Sequence, residues 1–174
     1  MLKAARNLVA VLFVFTMAAS AQKPDSATYI SGADIKAQKT VAALRIVDTG
    51  KNYVGLGVQN RPKAEKGKAG NPLAHTNVTE VYIVTAGSAT LATGGTLTGG
   101  KTFPAGPDGN YKDNGEGIGP GLTGTVAQPT QVRQIVPGDV IIIPAGVPHW
   151  FTEVQEPLTY MVVRVDPAKV ITLK

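Results

Sequence analysis

The 174-residue chain has no cysteine, two histidines and one tryptophan. Without cysteine there is no disulfide scaffold, no thiolate-ligated zinc or iron–sulfur site, no thiol nucleophile and no lipidated N-terminal cysteine. Charged residues make up only 17% of the chain, and the apolar fraction is an ordinary 43%. Disordered chains carry the opposite bias, with few large apolar residues and high net charge. No apolar run reaches the roughly 20 residues that a helix needs to cross a bilayer. Glycine and proline, by contrast, are plentiful at 20 and 12 residues. Together they are about 18% of the chain against an average of about 12%. That surplus predicts many turns and an all-β chain, and the length suits a single domain.

The first 21 residues read as a signal peptide. Lys3 and Arg6 form a basic start, Leu8 to Ala19 is apolar, and Ala19-Ser20-Ala21 matches a small-residue cleavage site. The expected mature chain starts at Gln22 and is periplasmic or secreted. Its 15 basic residues against 12 acidic ones leave a net charge of +3. That is too little for a nucleic-acid partner, which needs a clustered basic face. The one basic run, Lys63 to Lys68, carries its own Glu65 and reads as a solvated loop. After cleavage nothing in the chain calls for a membrane.

Residues 22–44 read as a lead-in with a short helix near 33–42, capped by Ser31 with Asp34 three residues on. Residues 45–174 read as β structure. Leu44–Val47, Tyr53–Val58, Val81–Val84, Ala89–Thr93, Gln131–Val136, Val140–Ile143 and Leu158–Val165 are short strand-like runs between turn signals. Short strands without intervening helices predict a sandwich or barrel. The unbroken run Val140-Ile141-Ile142-Ile143 predicts a strand covered on both faces. Residues 94–124 break the rhythm with 11 of the 20 glycines. A segment of that length is either a rim over a pocket or a surface excursion.

His75 and His149 each lie beside a strand and a tight turn. Pro144-Ala145-Gly146 reverses the chain ahead of His149, because proline presets φ and glycine accepts a positive φ. His75 and Glu80 are five residues apart, which places them on opposite faces of a straight strand. A turn or bulge at Asn77-Val78 would bring both inward. Two imidazoles and a carboxylate converging in a barrel mouth form a nitrogen/oxygen site for a divalent transition metal.

These residues resemble the motifs of the cupin superfamily. Its second motif, G-x5-P-x-G-x2-H-x3-N, is met by Gly138, Pro144, Gly146 and His149, with Glu153 where asparagine is typical. Its first, G-x5-H-x-H-x(3,4)-E-x6-G, is met by His75, Glu80 and Gly87, with Leu73 in place of the first histidine. The stretch Glu80 to Val84, Gly94-Gly95 and Pro137 to Asp139 further resembles small, exported, single-domain bacterial cupins. The resemblance implies a double-stranded β-helix, or jelly-roll barrel, holding Fe, Mn, Zn or Ni through His75, Glu80 and His149. It also implies a homodimer. Asn77 is a further candidate ligand, and Tyr82, Trp150 and Phe151 are candidate pocket-lining residues. A two-histidine, one-carboxylate set leaves metal positions open, as an oxygenase or a Lewis-acid isomerase or lyase requires. Two functions follow: a metal-dependent enzyme acting on a small molecule, or a non-catalytic small-molecule-binding barrel with or without metal. No catalytic acid or base beyond Glu80 stands out.

Overall fold

The computed structural model describes residues 26–108, 110–113 and 115–173, so the expected signal peptide lies outside the described residues. Helix α1 (Gly32–Ala37) begins where the cap predicts: Ser31 Oγ accepts the Asp34 amide. It ends short of residue 42, because Val41 already pairs with Val58 in the first strand. The remainder is β: β1 (Val41–Asp48), β2 (Tyr53–Arg61), β3 (Leu73–His75), β4 (Thr79–Thr93), β5 (Leu97–Phe103), β6 (Gly121–Val126), β7 (Gln131–Ile135), β8 (Val140–Ile143) and β9 (His149–Asp166). No helix among the described residues is long and apolar enough to cross a membrane.

The spine of the jelly roll is the antiparallel pair β4 and β9, matched from Thr79↔Val165 to Thr93↔His149. The sequence reads each of these strands as broken, at Thr85–Ser88 and before Leu158. Instead the chain continues through a cluster of register shifts between Val84 and Leu91. Such bulges bend a strand and raise its twist without ending it, and here they curl the sheet around its core. On one flank lie β2 and β1; β4 also pairs with β7 and β8; and β3, β6 and β5 follow from the start of β9. The main core is Tyr82, Val84, Leu91, Ile135, Ile143, Phe151, Val154, Leu158, Tyr160 and Val162. A second cluster of Ala43, Ile46, Val78 and Ile171 closes another part of the barrel.

Two sequence expectations change. The glycine-rich segment is not structureless: β5 and β6 form a hairpin within it, and β6 pairs with β3, placing Gly121 opposite His75. The run 140–143 is covered on one face only. Ile143 is buried, whereas Val140 and Ile142 are 60% and 67% exposed, because successive residues of a strand point to opposite faces and only one face of β8 meets the core.

Motif glycines serve backbone geometry. Gly87 has φ 75° at the β4 bend, and a Cβ there would collide with the Pro157 carbonyl on β9. Gly146 has φ 82° in the turn before β9, with open space around it. Alanine in a left-handed conformation costs about 1–2 kcal/mol. Gly146→Ala should therefore lower stability by about that amount in urea unfolding. Gly87→Ala should cost clearly more, since the β4–β9 pair must also move apart.

Candidate metal centre

His75 closes β3 and Glu80 is the second residue of β4, so the three-residue turn 76–78 turns both side chains inward. His149 opens β9 and pairs with Leu73. The two histidine segments are tied directly: the Gly146 amide donates to the His75 carbonyl at 2.7 Å, and the Ala145 amide to Thr79 Oγ1 at 3.3 Å. All three side chains are buried, and one ligand atom from each lies within 4.8 Å of the others.

The spacing suits a metal ion. His75 Nε2 is 3.4 Å from Glu80 Oε1, and His149 Nε2 is 3.2 Å from Glu80 Oε2. Donors about 2.0–2.2 Å from a common ion, at octahedral to tetrahedral angles, stand about 2.8–3.6 Å apart. Proton placement points the same way. His149 Nδ1 lies 3.0 Å from the Val147 carbonyl, which can only accept, so Nδ1 carries a proton. In the neutral ring Nε2 then presents a lone pair. That atom is buried without a hydrogen-bond partner, as is His75 Nδ1. A lone pair facing a carboxylate requires a cation between them, either a metal ion or a second ring proton.

Glu80 is 1% exposed. Burial on its own would raise the carboxyl pKa. Arg164 foremost, then His149 and His75, outweigh burial and hold the carboxyl well below its usual range. Arg164 Nε donates to Glu80 Oε1 at 2.8 Å, and its Nη1 donates to the Ala42 carbonyl. Tyr82 donates its hydroxyl to Glu80 Oε2 at 3.0 Å. Burial and the adjacent Glu80 charge push the Tyr82 phenol well above its usual pKa, so it remains a donor.

These groups line a cavity of about 550 Å³, walled by Leu73, Phe103, Ile118, Tyr160 and Val162, with Thr40, Gln59, Arg61 and Glu116 also on its lining. Leu73, at the position where the motif carries a first histidine, is an apolar wall residue. Phe103 packs its ring edge-on against His75, with centroids 5.3 Å apart. The glycine-rich segment thus supplies one side of the site through Phe103, Glu116 and Ile118. Asn77 is not brought to the centre: it is exposed in the turn, and its Oδ1 accepts from the Thr76 hydroxyl. Tyr82 lines the cavity. Trp150 and Phe151 instead border a smaller adjoining cavity of about 110 Å³, and Phe151 is also core. Glu153 is outside both linings. Arg61, Phe103, Tyr160 and Arg164 were not signalled by the sequence, because they belong to no local motif.

Residues 38–173 match the family model described as Cupin. The chain belongs to the cupin family. No curated protein matches this cupin in sequence. Among solved structures it is similar to BH2720 of Bacillus halodurans, at 14% identity and TM-score 0.49, over 87% of this chain and 91% of that one. It is also similar to KdgF from Halomonas sp., at 14% identity and TM-score 0.38, over 72% and 79% of the two chains. A third is a recombinant oxalate oxidase in complex with glycolate, at 22% identity and TM-score 0.39, over 68% of this cupin and 43% of that chain.

The Glu80–Arg164 contact dictates the response to mutation. Removing one partner of a buried ion pair leaves an uncompensated charge and costs about 3–5 kcal/mol. Arg164→Met should destabilise chelator-treated protein by that order in urea unfolding. The double variant Glu80→Gln/Arg164→Met should recover much of the loss.

Proposed function

We propose that this cupin is an exported, metal-dependent enzyme acting on a small molecule, with His75, Glu80 and His149 as metal ligands. The observation that carries the reading is the convergence of three buried side chains whose ligand atoms lie within 4.8 Å of one another. Fe, Mn, Zn or Ni all suit two imidazoles and a carboxylate. Such an ion, when bound, supplies Lewis acidity or, if redox-active, oxygen chemistry.

The chain's own residues prepare the site. The Val147 carbonyl fixes the His149 tautomer, and hydrogen bonds from Arg164 and Tyr82 keep Glu80 ionised and aimed. Leu73, Phe103, Ile118 and Val162 restrict water around the reacting position. A cavity of about 550 Å³ is in the range of small-molecule sites. Among the described residues the cavity is lined by one carboxylate besides Glu80, that of Glu116, which is exposed, so proton transfers are assigned to the centre and to solvent.

One observation favours a second reading, a non-catalytic binding barrel: the Arg164 guanidinium already balances the Glu80 charge at 2.8 Å. Metal analysis separates the two. Protein purified without chelator from metal-replete cells should carry about one equivalent of a first-row metal, as expected for one three-residue ligand set. His75→Ala and His149→Ala should each lose most of it. Wild-type protein without stoichiometric metal would contradict the enzyme reading. With metal present, oxygen uptake across a panel of small substrates distinguishes an oxygenase from an isomerase or lyase.

Export to the periplasm or medium is part of the same proposal, as is a homodimer. Intact mass of the exported protein should correspond to a chain starting at Gln22, and an uncleaved N-terminus would contradict export through this signal.

A further inference from the structure

The geometry points to Arg61 as an anion-recognition residue, and to a small organic carboxylate as the cavity's ligand; this deepens the small-molecule reading above and rests on it. Arg61 ends β2 opposite Leu158 and lines both the main cavity and the adjoining smaller one. Its Nε donates to the Tyr160 hydroxyl at 3.0 Å, and its guanidinium carbon lies 4.7 Å over the Phe151 ring. The side chain is therefore fixed at one edge and supported on one face.

Among the described residues no carboxylate forms an ion pair with Arg61. Arg164 is committed to Glu80 and Ala42. Among the described residues the carboxylate ion pairs of lysine and arginine are Lys68–Glu65, Arg164–Glu80 and Lys169–Asp48, and Arg61 is in none of them. An arginine stays charged in any protein environment. Half-buried, with only Nε engaged, it presents its two terminal nitrogens as a planar fork, the shape that accepts a carboxylate in two parallel hydrogen bonds.

The rest of the lining defines the other parts of the ligand. Leu73, Phe103, Ile118 and Val162 offer apolar walls for a short carbon skeleton. Gln59 and Thr40 offer further polar contacts. The remaining end of the molecule faces His75, Glu80 and His149, so the carboxylate anchors the molecule while another group meets the metal centre. Aromatic support from Phe151 and the Tyr160 bond hold the fork in place before binding, which removes part of the ordering cost of recognition. A tetrahedral, doubly charged phosphate fits a single fork and apolar walls less well than a planar monoanion.

The test is calorimetric titration of the full exported protein, metal-loaded and again after chelation, with butyrate, succinate, butyramide and inorganic phosphate. Butyrate or succinate should bind, and the isosteric neutral butyramide should bind at least about ten-fold more weakly, the scale of one charge-assisted pair. Arg61→Gln should weaken the carboxylates by a similar factor, and Arg61→Lys should restore part of it. Tyr160→Phe, which frees the fork without removing it, should weaken them by a smaller factor. Thermal unfolding of each variant checks that the barrel is intact.

Equal binding of butyrate and butyramide, tighter binding of phosphate, no carboxylate binding at millimolar concentrations, or a folded Arg61→Gln protein with unchanged affinity would each overturn the assignment. The two readings fail separately. Arg61-dependent carboxylate binding by protein that never holds metal retains this inference and removes the metal-enzyme reading. Stoichiometric metal with Arg61-independent binding does the reverse.

Discussion

A carboxylate buried to 1% exposure is the constraint around which the rest of this cupin is arranged. An ionised group taken out of water is unfavourable by several kcal/mol unless it is paired and hydrogen-bonded. Glu80 is compensated from four directions: Arg164 from β9, Tyr82 from its own strand, His75 from β3 and His149 from the start of β9. Arg164, His75 and His149 are brought in by strand pairing and Tyr82 by its place two residues along β4, so the charge of Glu80 also fixes how these strands lie against one another. Glu80 pairs in register with Arg164 on one side and Ile143 on the other, which makes the ion pair a cross-strand contact as well as an electrostatic one.

The scaffold answers this demand with two long, bent strands. β4 and β9 run together over nearly their whole lengths, and their bulges turn one paired ribbon into the curved wall of a barrel. At one end of the ribbon Thr79 and Glu80 meet the returning residues 164 and 165; at the other, Thr93 meets His149. The turn 144–146 and its bond to the His75 carbonyl bring these separated parts of the chain back to one centre. Metal ligation, if it replaces a ring proton between His149 and Glu80, uses a geometry that strand pairing has already imposed.

What the sequence discloses follows from how local each feature is. His75, Glu80 and His149 were legible because their positions are set by turns a few residues long, with Gly146 and Gly87 marking where the backbone must take a positive φ. Inward convergence of His75 and Glu80 followed from odd spacing plus a turn. Arg61, Tyr160 and Arg164 were not legible: each sits in an ordinary alternating strand, and its role comes from register with residues far away in the chain. The continuity of β4 and β9 was hidden for a related reason. Gly87 and Pro157 look like strand ends, yet they face each other across a bulge, where a strand tolerates both. Asn77 shows the opposite failure. Its spacing from His75 suggests a shared strand face, but the strand stops at His75 and the asparagine turns outward.

In the proposed reading a metal ion, rather than a proton, lies between His149 Nε2 and the Glu80 carboxylate. Anomalous diffraction at the absorption edge of the metal found in the purified protein tests this most directly. One strong peak is expected in contact with His75, Glu80 and His149, with His149 Nδ1 still bound to the Val147 carbonyl. A map with no peak there, or with the metal held elsewhere on the chain, would contradict it.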